Sequence, residues 1–414
     1  MRVLIVNTSE RTGGAAVAAN RLTESLNNQG VKARMMVREK LSDLVYVASA
    51  GSKLSNMVRF CYERLVIWLN NMLSRRNLFT VSIANTGIDI TKTREFHEAD
   101  IIHLHWINQG MLSLRDIRKI LESGKPVVWT MHDMWPMTGI CHHAHQCRSF
   151  ESECMCCPFL RFPGKHDLSN RVWRRKKQVL DGADIQFVAV SEWLATKARQ
   201  SAILTDHPVV VIPNLLKLTK FELLDRQQCR RNLGIRQRFV VAFGAARIDD
   251  PIKGFSYFAN ALREVTERNA IGSDDLHVIL FGGIRNSKQL EQLPVSYTYM
   301  GYVKSEAELS EIYSASNAVV SSSLYETFGQ TLIEAQACGC VPVSFAGSGQ
   351  ADIIRHCDNG YLAEYLSTNS LANGIIWALT SPHDRLALRY DVAKRYSDRA
   401  VAAKYVALYE SLLK

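Results

Sequence analysis

The chain has 414 residues, 47% hydrophobic and 22% charged, with a formal charge of +10. That length exceeds what one hydrophobic core sustains, so two domains are expected, and the composition excludes a disordered chain. No uncharged apolar stretch nears the roughly 20 residues of a bilayer span; the longest candidate, "LVIWLNNMLS", is far shorter and carries asparagines, which excludes a membrane-crossing reading.

The opening "MRVLIVNTSE" holds an apolar run too short for a signal-peptide core, so a cytoplasmic location is expected. "RVLIV" reads as a strand, and Gly13 and Gly14 fall in the turn to the first helix. A dinucleotide fingerprint needs Gly-x-Gly-x-x-Gly there and is absent, but a phosphate or sugar can approach the backbone at Gly14. "KLSNMVRFCYERLVIWLNNMLSRR" mixes apolar and basic positions with Phe60, Tyr62 and Trp68 among them. A helix packed into the first domain is the default, and an amphipathic one lying on an anionic membrane has the same pattern.

The strands "DIIHLHW" and "PVVWTMH" follow, the second delivering His132 and Asp133 to a loop. A histidine there serves to orient or polarise a substrate hydroxyl, or is structural. Cys141, Cys147, Cys154, Cys156 and Cys157 then lie within 17 residues, beside His142, His143 and His145. Cys141, Cys147, Cys154 and Cys157 have the makings of a structural zinc site, with reduced thiols as the alternative. Arg161, Lys165, Arg171, Arg174, Arg175, Lys176 and Lys177 crowd the next segment against one acid, Asp167. Such a stripe suits nucleic acid, an anionic membrane or a phosphorylated substrate, and equally a solvated helix face.

After "IQFVAV" and "PVVVIP" the strand–loop–helix pattern restarts at "FVVAFGAARIDDPIKGFSYFANALREV". Short β-branched runs separated by helices imply parallel sheets covered on both faces. The expected architecture is α/β: two Rossmann-like doubly wound domains over residues 1–215 and 216–385, facing a central cleft, with a C-terminal helix over 386–414 packing back across the domain interface. Ligands of such sheets bind beyond the carboxyl ends of the strands. Arg247 and Lys253 occupy one such loop, a fork and a point charge suited to a diphosphate. "YETFGQTLIEAQACG" forms another, with Glu326 in the loop, Gly329 at the helix start and Glu334 within the helix. The free amides of Gly329, Gln330 and Thr331 make an anion site, and two carboxylates beside it fit the hydroxyls of a nucleotide sugar; an ordinary capped turn has the same spacing. No Asp-x-Asp triplet or Walker pattern occurs, so Arg247 and Lys253 would neutralise charge without a metal.

The set Arg247, Lys253, Glu326, "FG" and Glu334 resembles the donor signature of the retaining, GT-B fold glycosyltransferases of family four, and the likeness covers essentially the whole chain. "DIIHLHWINQG" with "TMHDMWPMTGICHH" looks like a polysaccharide-building, colanic-acid-type subgroup. The resemblance implies a hexosyltransferase that uses a UDP- or GDP-linked donor and a glycan or lipid-linked acceptor, at the inner face of the cytoplasmic membrane, in bacterial surface polysaccharide biosynthesis. It implies no catalytic cofactor, and no nucleic acid as partner. It further implies that Arg247 and Lys253 bind the donor diphosphate, that Glu334 holds the ribose hydroxyls, and that Glu326 with the amides from Phe328 to Thr331 holds sugar and phosphates. Gly14 would approach the donor and His132 would face donor sugar and acceptor. The sequence departs from the family at Asn317, where Asp is usual, at "GSGQAD", where Gly-Gly-x-x-Glu is usual, and at Ile252, where relatives often carry Arg. A nucleic-acid-binding module using the basic stripe and a sugar-nucleotide epimerase remain the competing readings.

Overall fold

The computed structural model describes residues 1–414, the side chain of Gln292 excepted. Two compact units divide the chain: Met1–Leu215 with Val401–Lys414, and Leu216–Ala400.

In the first unit the β-branched runs form strands β1 (Arg2–Ser9), β2 (Lys32–Glu39), β3 (Val47–Ser49), β4 (Ile101–Leu104), β5 (Val127–Met131), β6 (Gln186–Ala189) and β7 (Val209–Val211). Helices α1 (Gly14–Asn28), α2 (Lys53–Asn70), α3 (Arg94–Glu98), α4 (Leu114–Leu121), α5 (Leu168–Leu180) and α6 (Glu192–Arg199) connect them. The sheet is wholly parallel in the order β3-β2-β1-β4-β5-β6-β7. Its strand order reverses between β1 and β4, the point at which a doubly wound sheet opens to a ligand.

The second unit repeats the plan with β8 (Phe239–Arg247), β9 (Leu276–Gly283), β10 (Ser296–Tyr299), β11 (Ala318–Ser321), β12 (Val341–Phe345) and β13 (Tyr361–Ala363). Its helices are α7 (Arg226–Asn232), α8 (Phe255–Glu267), α9 (Glu306–Ala315), α10 (Gln330–Ala337), α11 (Thr368–Thr380) and α12 (Arg385–Tyr396), and α13 (Asp398–Leu412) follows. The parallel order β10-β9-β8-β11-β12-β13 switches between β8 and β11. A core of Phe243, Phe258, Leu262, Leu280, Val320 and Val343 holds sheet to helices. The doubly wound α/β architecture read from the strand runs is thus present in both units.

One expectation is corrected. The single helix over 386–414 is two helices, because Ser397 is extended (φ −58°, ψ 151°) and its hydroxyl accepts the Ala400 amide at 3.3 Å, capping a new start. Leu388, Val392 and Tyr396 are buried in the second unit, while Val401, Tyr405 and Tyr409 join the first unit's core with Val3, Ile5 and Leu22. Helix α2 does not bury its apolar face: its buried residues are Asn56, Glu63, Arg64 and Ile67.

Candidate active site

In the second unit, the loops after β8 and β11 meet. Gly254 caps α8 at φ +65°, and a Cβ there would lie 2.1 Å from the Ser322 carbonyl oxygen, so only glycine fits this approach. The Ser322 hydroxyl donates to the Gly254 carbonyl at 2.8 Å and the Leu324 amide to the Ile252 carbonyl at 2.8 Å. This stitching brings Lys253 Nζ to 2.8 Å from Glu326 Oε2, and Glu326 raises the lysine above its ordinary value by more than burial lowers it. Arg247, at the end of β8, sits 3.2 Å from Asp250 and 3.5 Å from Asp249, still more than a third exposed. Asp249 also accepts the amides of Arg285 and Asn286, which ties the loop after β9 to the same place.

Gly329, at φ +107°, opens α10, with Gln330 and Thr331 as its first helical residues. Phe328 is buried against the Tyr396 ring, so only its backbone amide is left to serve a ligand. Gln330 Nε2 is buried without a hydrogen-bond partner, and Glu334 is buried one turn into the helix. The divergent "GSGQAD" segment lies alongside: Gly349 donates its amide to the Glu326 carbonyl at 2.8 Å, and the fully buried Gln350 side chain is spent on Ser321, Ser323 and Phe345. Asn317 accepts from Arg230 and from the Val240 amide, a structural task that an uncharged oxygen performs.

In the first unit, Gly14 is the first residue of α1, and a side chain there would meet no protein atom within 4 Å. His132 directly follows β5 and is half-buried. Its Nε2 lies 2.8 Å from Nδ1 of His105, which follows β4 on the neighbouring strand. The ring centres of His103 and His105 lie 4.2 Å apart with the planes tilted by 43°, and His103 is held by Tyr409 at 2.6 Å and Thr130 at 2.8 Å, with Tyr405 3.0 Å from Thr130. Burial pushes His132 down to about 4, against the opposing pull of Asp133; it takes His103 to about 3 and His105 well below its usual value. All three rings are therefore neutral near pH 7, and the His105–His132 contact holds one proton between them, which couples the tautomer of His132 to that of His105. Asp133 accepts from Trp106 at 2.7 Å, from His142 at 2.6 Å and from the Trp135 amide at 2.8 Å. Burial opposes its charge, yet His142, His143 and that amide bring it down to about 2.

The cysteines do not assemble as the sequence suggested. Among the described residues no group of three or more His, Cys, Asp or Glu is placed to hold a metal ion. Cys141, Cys154 and Cys157 are buried and Cys147 partly so, all as free thiols. Burial pushes Cys154 up to about 11 and Cys157 up to about 12, and Cys141 upward too, which keeps them protonated. What braces this loop is Lys176, read in the sequence as one more residue of a solvated run. It is fully buried, donating to the carbonyls of Trp135 (2.5 Å), Thr138 (2.8 Å) and Gly139 (3.3 Å), with Nζ 3.6 Å from the centre of the Trp135 ring. Burial brings it down to about 7. Lys176→Met leaves those carbonyls unanswered and is expected to cost the first unit about 3 kcal/mol in a urea titration at pH 6; an unchanged midpoint contradicts that role.

Comparison with known proteins places these features. Residues 12–220 match the family described as "Glycosyltransferase Family 4", and residues 238–381 match "Glycosyl transferases group 1". The chain belongs to glycosyltransferase family 4. It is 24% identical to a D-inositol 3-phosphate glycosyltransferase of Corynebacterium jeikeium (strain K411), over 97% of this chain and 92% of that protein. It is 25% identical to WcaC of Escherichia coli (strain K12), a protein named for colanic acid biosynthesis, over 47% of this chain and 50% of that one. The fold is that of Anabaena Alr3699/HepE, solved in complex with UDP and glucose, at TM-score 0.63 and 15% identity over 99% of this chain and 100% of that one. This family 4 member is accordingly a nucleotide-sugar-dependent glycosyltransferase of the GT-B fold, as its sequence motifs led one to expect. Sequence reasoning missed His105, Asp249 and Gln350. The first had a signal, since "HLHW" and "TMHD" end adjacent strands of one sheet.

Proposed function

We propose that this transferase retains configuration as it moves a hexose from a UDP- or GDP-linked donor to a lipid-linked or oligosaccharide acceptor during assembly of a bacterial surface polysaccharide. The observation that carries the reading is the joined pair of loops at the β8/β11 switch point, where Lys253 pairs with Glu326 on the loop that leads into α10, and Arg247 sits in the same β8 loop beside Asp249 and Asp250. In this reading Arg247 and Lys253 take the diphosphate, Glu334 the ribose hydroxyls, and Glu326 with the amides from Phe328 to Thr331 the sugar and phosphates. Gly14 leaves room for the donor, and a neutral His132, its tautomer coupled to that of His105, serves a hydroxyl of the donor sugar or acceptor. Breaking the anomeric bond leaves its electron pair on the diphosphate, and that oxygen takes the acceptor's proton as the new bond forms on the same face. No protein nucleophile is required. The name of WcaC and the UDP and glucose in the Anabaena structure support the pathway and the donor class.

The test is thermal stabilisation by a panel of nucleoside diphosphates and their hexose conjugates, with NAD and single-stranded DNA as controls. A ligand at about 100 times its Kd stabilises by about 2.7 kcal/mol, a shift of about 5 °C or more. Stabilisation by one nucleoside diphosphate identifies the donor class; a response to DNA alone overturns the reading in favour of the basic stripe.

A further inference from the structure

A surface helix ordinarily turns its apolar stripe to the core and its polar side to water, and α2 does the reverse. Its inward polar side chains bond to the backbone around them, though Asn56 Oδ1, Glu63 Oε2 and Arg64 Nε lack a hydrogen-bond partner. Glu63 accepts the amides of Ile83 and Ala84 at 2.9 and 3.1 Å, Arg64 donates to the carbonyls of Leu78 and Val81 at 2.6 and 3.0 Å, and Asn56 donates to the Arg38 carbonyl at 2.8 Å. The outward side carries Leu54, Val58, Tyr62, Leu65 and Leu69, between 48% and 69% exposed. Their spacing places them on one face, so the exposure is a continuous stripe and not scattered residues.

The basic segment lies against the end of that stripe. The Arg161 amide donates to Asn71 Oδ1 at 2.6 Å, Asn77 Nδ2 to the Phe159 carbonyl at 3.0 Å, and Arg171 to Asn70 Oδ1 at 2.8 Å. These bonds bring the segment that carries Phe162, 64% exposed with Arg161 5.7 Å from its ring centre, to the helix end, where Arg75, Arg76, Lys165 and Arg171 are exposed as well. Between Lys53 and Phe79 the one acidic residue is Glu63, and it is buried, so the surface has no counter-charge of its own there.

Charge selects the occupant. Nucleic acid has no use for the leucine stripe, and a second copy of this chain would bring the same positive rim against itself. An interface of acyl chains beneath anionic headgroups matches both parts, with the stripe immersed and the arginines on phosphates. We propose that α2 and residues 159–171 form the surface by which this transferase docks on an anionic bilayer. This rests on the proposed function and deepens it, because it names where a lipid-carried acceptor is met.

The test floats the full chain with vesicles of phosphatidylglycerol in phosphatidylcholine. Flotation is expected with these, about tenfold less with phosphatidylcholine alone, and weaker at about 0.5 M salt. Leu65→Glu/Leu69→Glu and Arg161→Glu/Arg171→Glu should each reduce flotation at least about tenfold. Thermal stabilisation by the nucleoside diphosphate should be unchanged in both, so that loss of docking is told apart from loss of fold or of the donor site. A wild-type chain that stays unbound to the anionic vesicles, a dimer dissolved by the leucine changes, or DNA binding that ignores the leucines and needs the arginines overturns the proposal.

Discussion

Arg247→Ala is expected to lower turnover by about 10²- to 10³-fold, because a charge aimed at the departing group is worth most when that group's charge is greatest. The ground state binds the same diphosphate, so KM for the donor should rise far less than kcat falls. The guanidinium is ion-paired before any ligand arrives: Asp250 and Asp249, at 3.2 and 3.5 Å, hold it at the end of β8, and Asp249 is itself fixed by two backbone amides. A partly exposed ion pair of this kind contributes about 0–1 kcal/mol to stability, so the variant should melt within a few degrees of the wild type. Arg247→Lys should recover only part of the rate, since an ammonium lacks the planar fork that grips two oxygens. Lys253→Ala should also be slow, and the double variant less than multiplicatively so, because both residues are proposed to act on one group. The measurement is release of nucleoside diphosphate from whichever donor stabilises the chain. Normal turnover in Arg247→Ala would remove the central element of the mechanism.

The loops at the two switch points were legible because their signals are local: β-branched runs end in glycine-containing turns, and strand ends of a doubly wound sheet collect ligands. The seam before Leu216 shows in the same way, as a restart of the strand–loop–helix pattern. What stayed hidden depends on neighbours distant in sequence. The periodicity of α2 reveals a stripe but not which side the protein lies on, and the inversion is decided by Ile83, Ala84, Leu78 and Val81, whose backbone groups claim Glu63 and Arg64. Tyr396 and Val401 are spaced almost as a continuous helix would have them, so the break at Ser397 leaves little trace in the pattern. Lys176 sits in a run of exposed cations and differs from them only in facing the loop that follows β5. The choice between zinc and reduced thiols at the cysteines was open in the sequence for the same reason: spacing counts thiols, while their placement belongs to the fold, where no three of them are set to hold a metal among the described residues.

Acid should unfold the first unit earlier than an ordinary domain of its size. His103 and His132 stand at about 3 and about 4, driven down by burial, against an ordinary value near 6.5. His105 is displaced the same way by burial and by the two histidines beside it. Below pH 6.5 the unfolded chain takes up these protons and the native chain does not, so native stability is complete above that pH and is lost as pH falls toward the native values. Each proton contributes about 1.4 kcal/mol per pH unit. His103 and His132 together thus remove on the order of 4 kcal/mol by pH 5, a large share of the roughly 5–15 kcal/mol of a typical domain. His105 adds in the same direction. Asp133, held at about 2 chiefly by His142 against its burial, gives way only in stronger acid, so its loss falls outside this window. Lys176, brought to about 7, acts in the opposite range: its buried charge is relieved as pH rises through 7, which makes the unit more stable in mild alkali. Six of the seven tryptophans lie in the first unit, so tryptophan fluorescence in urea follows it with little contribution from the second. The expected result is a midpoint that falls steeply between pH 6.5 and 5, and falls less steeply in His105→Phe, which removes one titrating ring whose Nε2 has no partner to lose. A midpoint constant down to pH 5 would mean that these histidines are charged in the native protein, and the proposal of a neutral His132 serving a substrate hydroxyl would go with them.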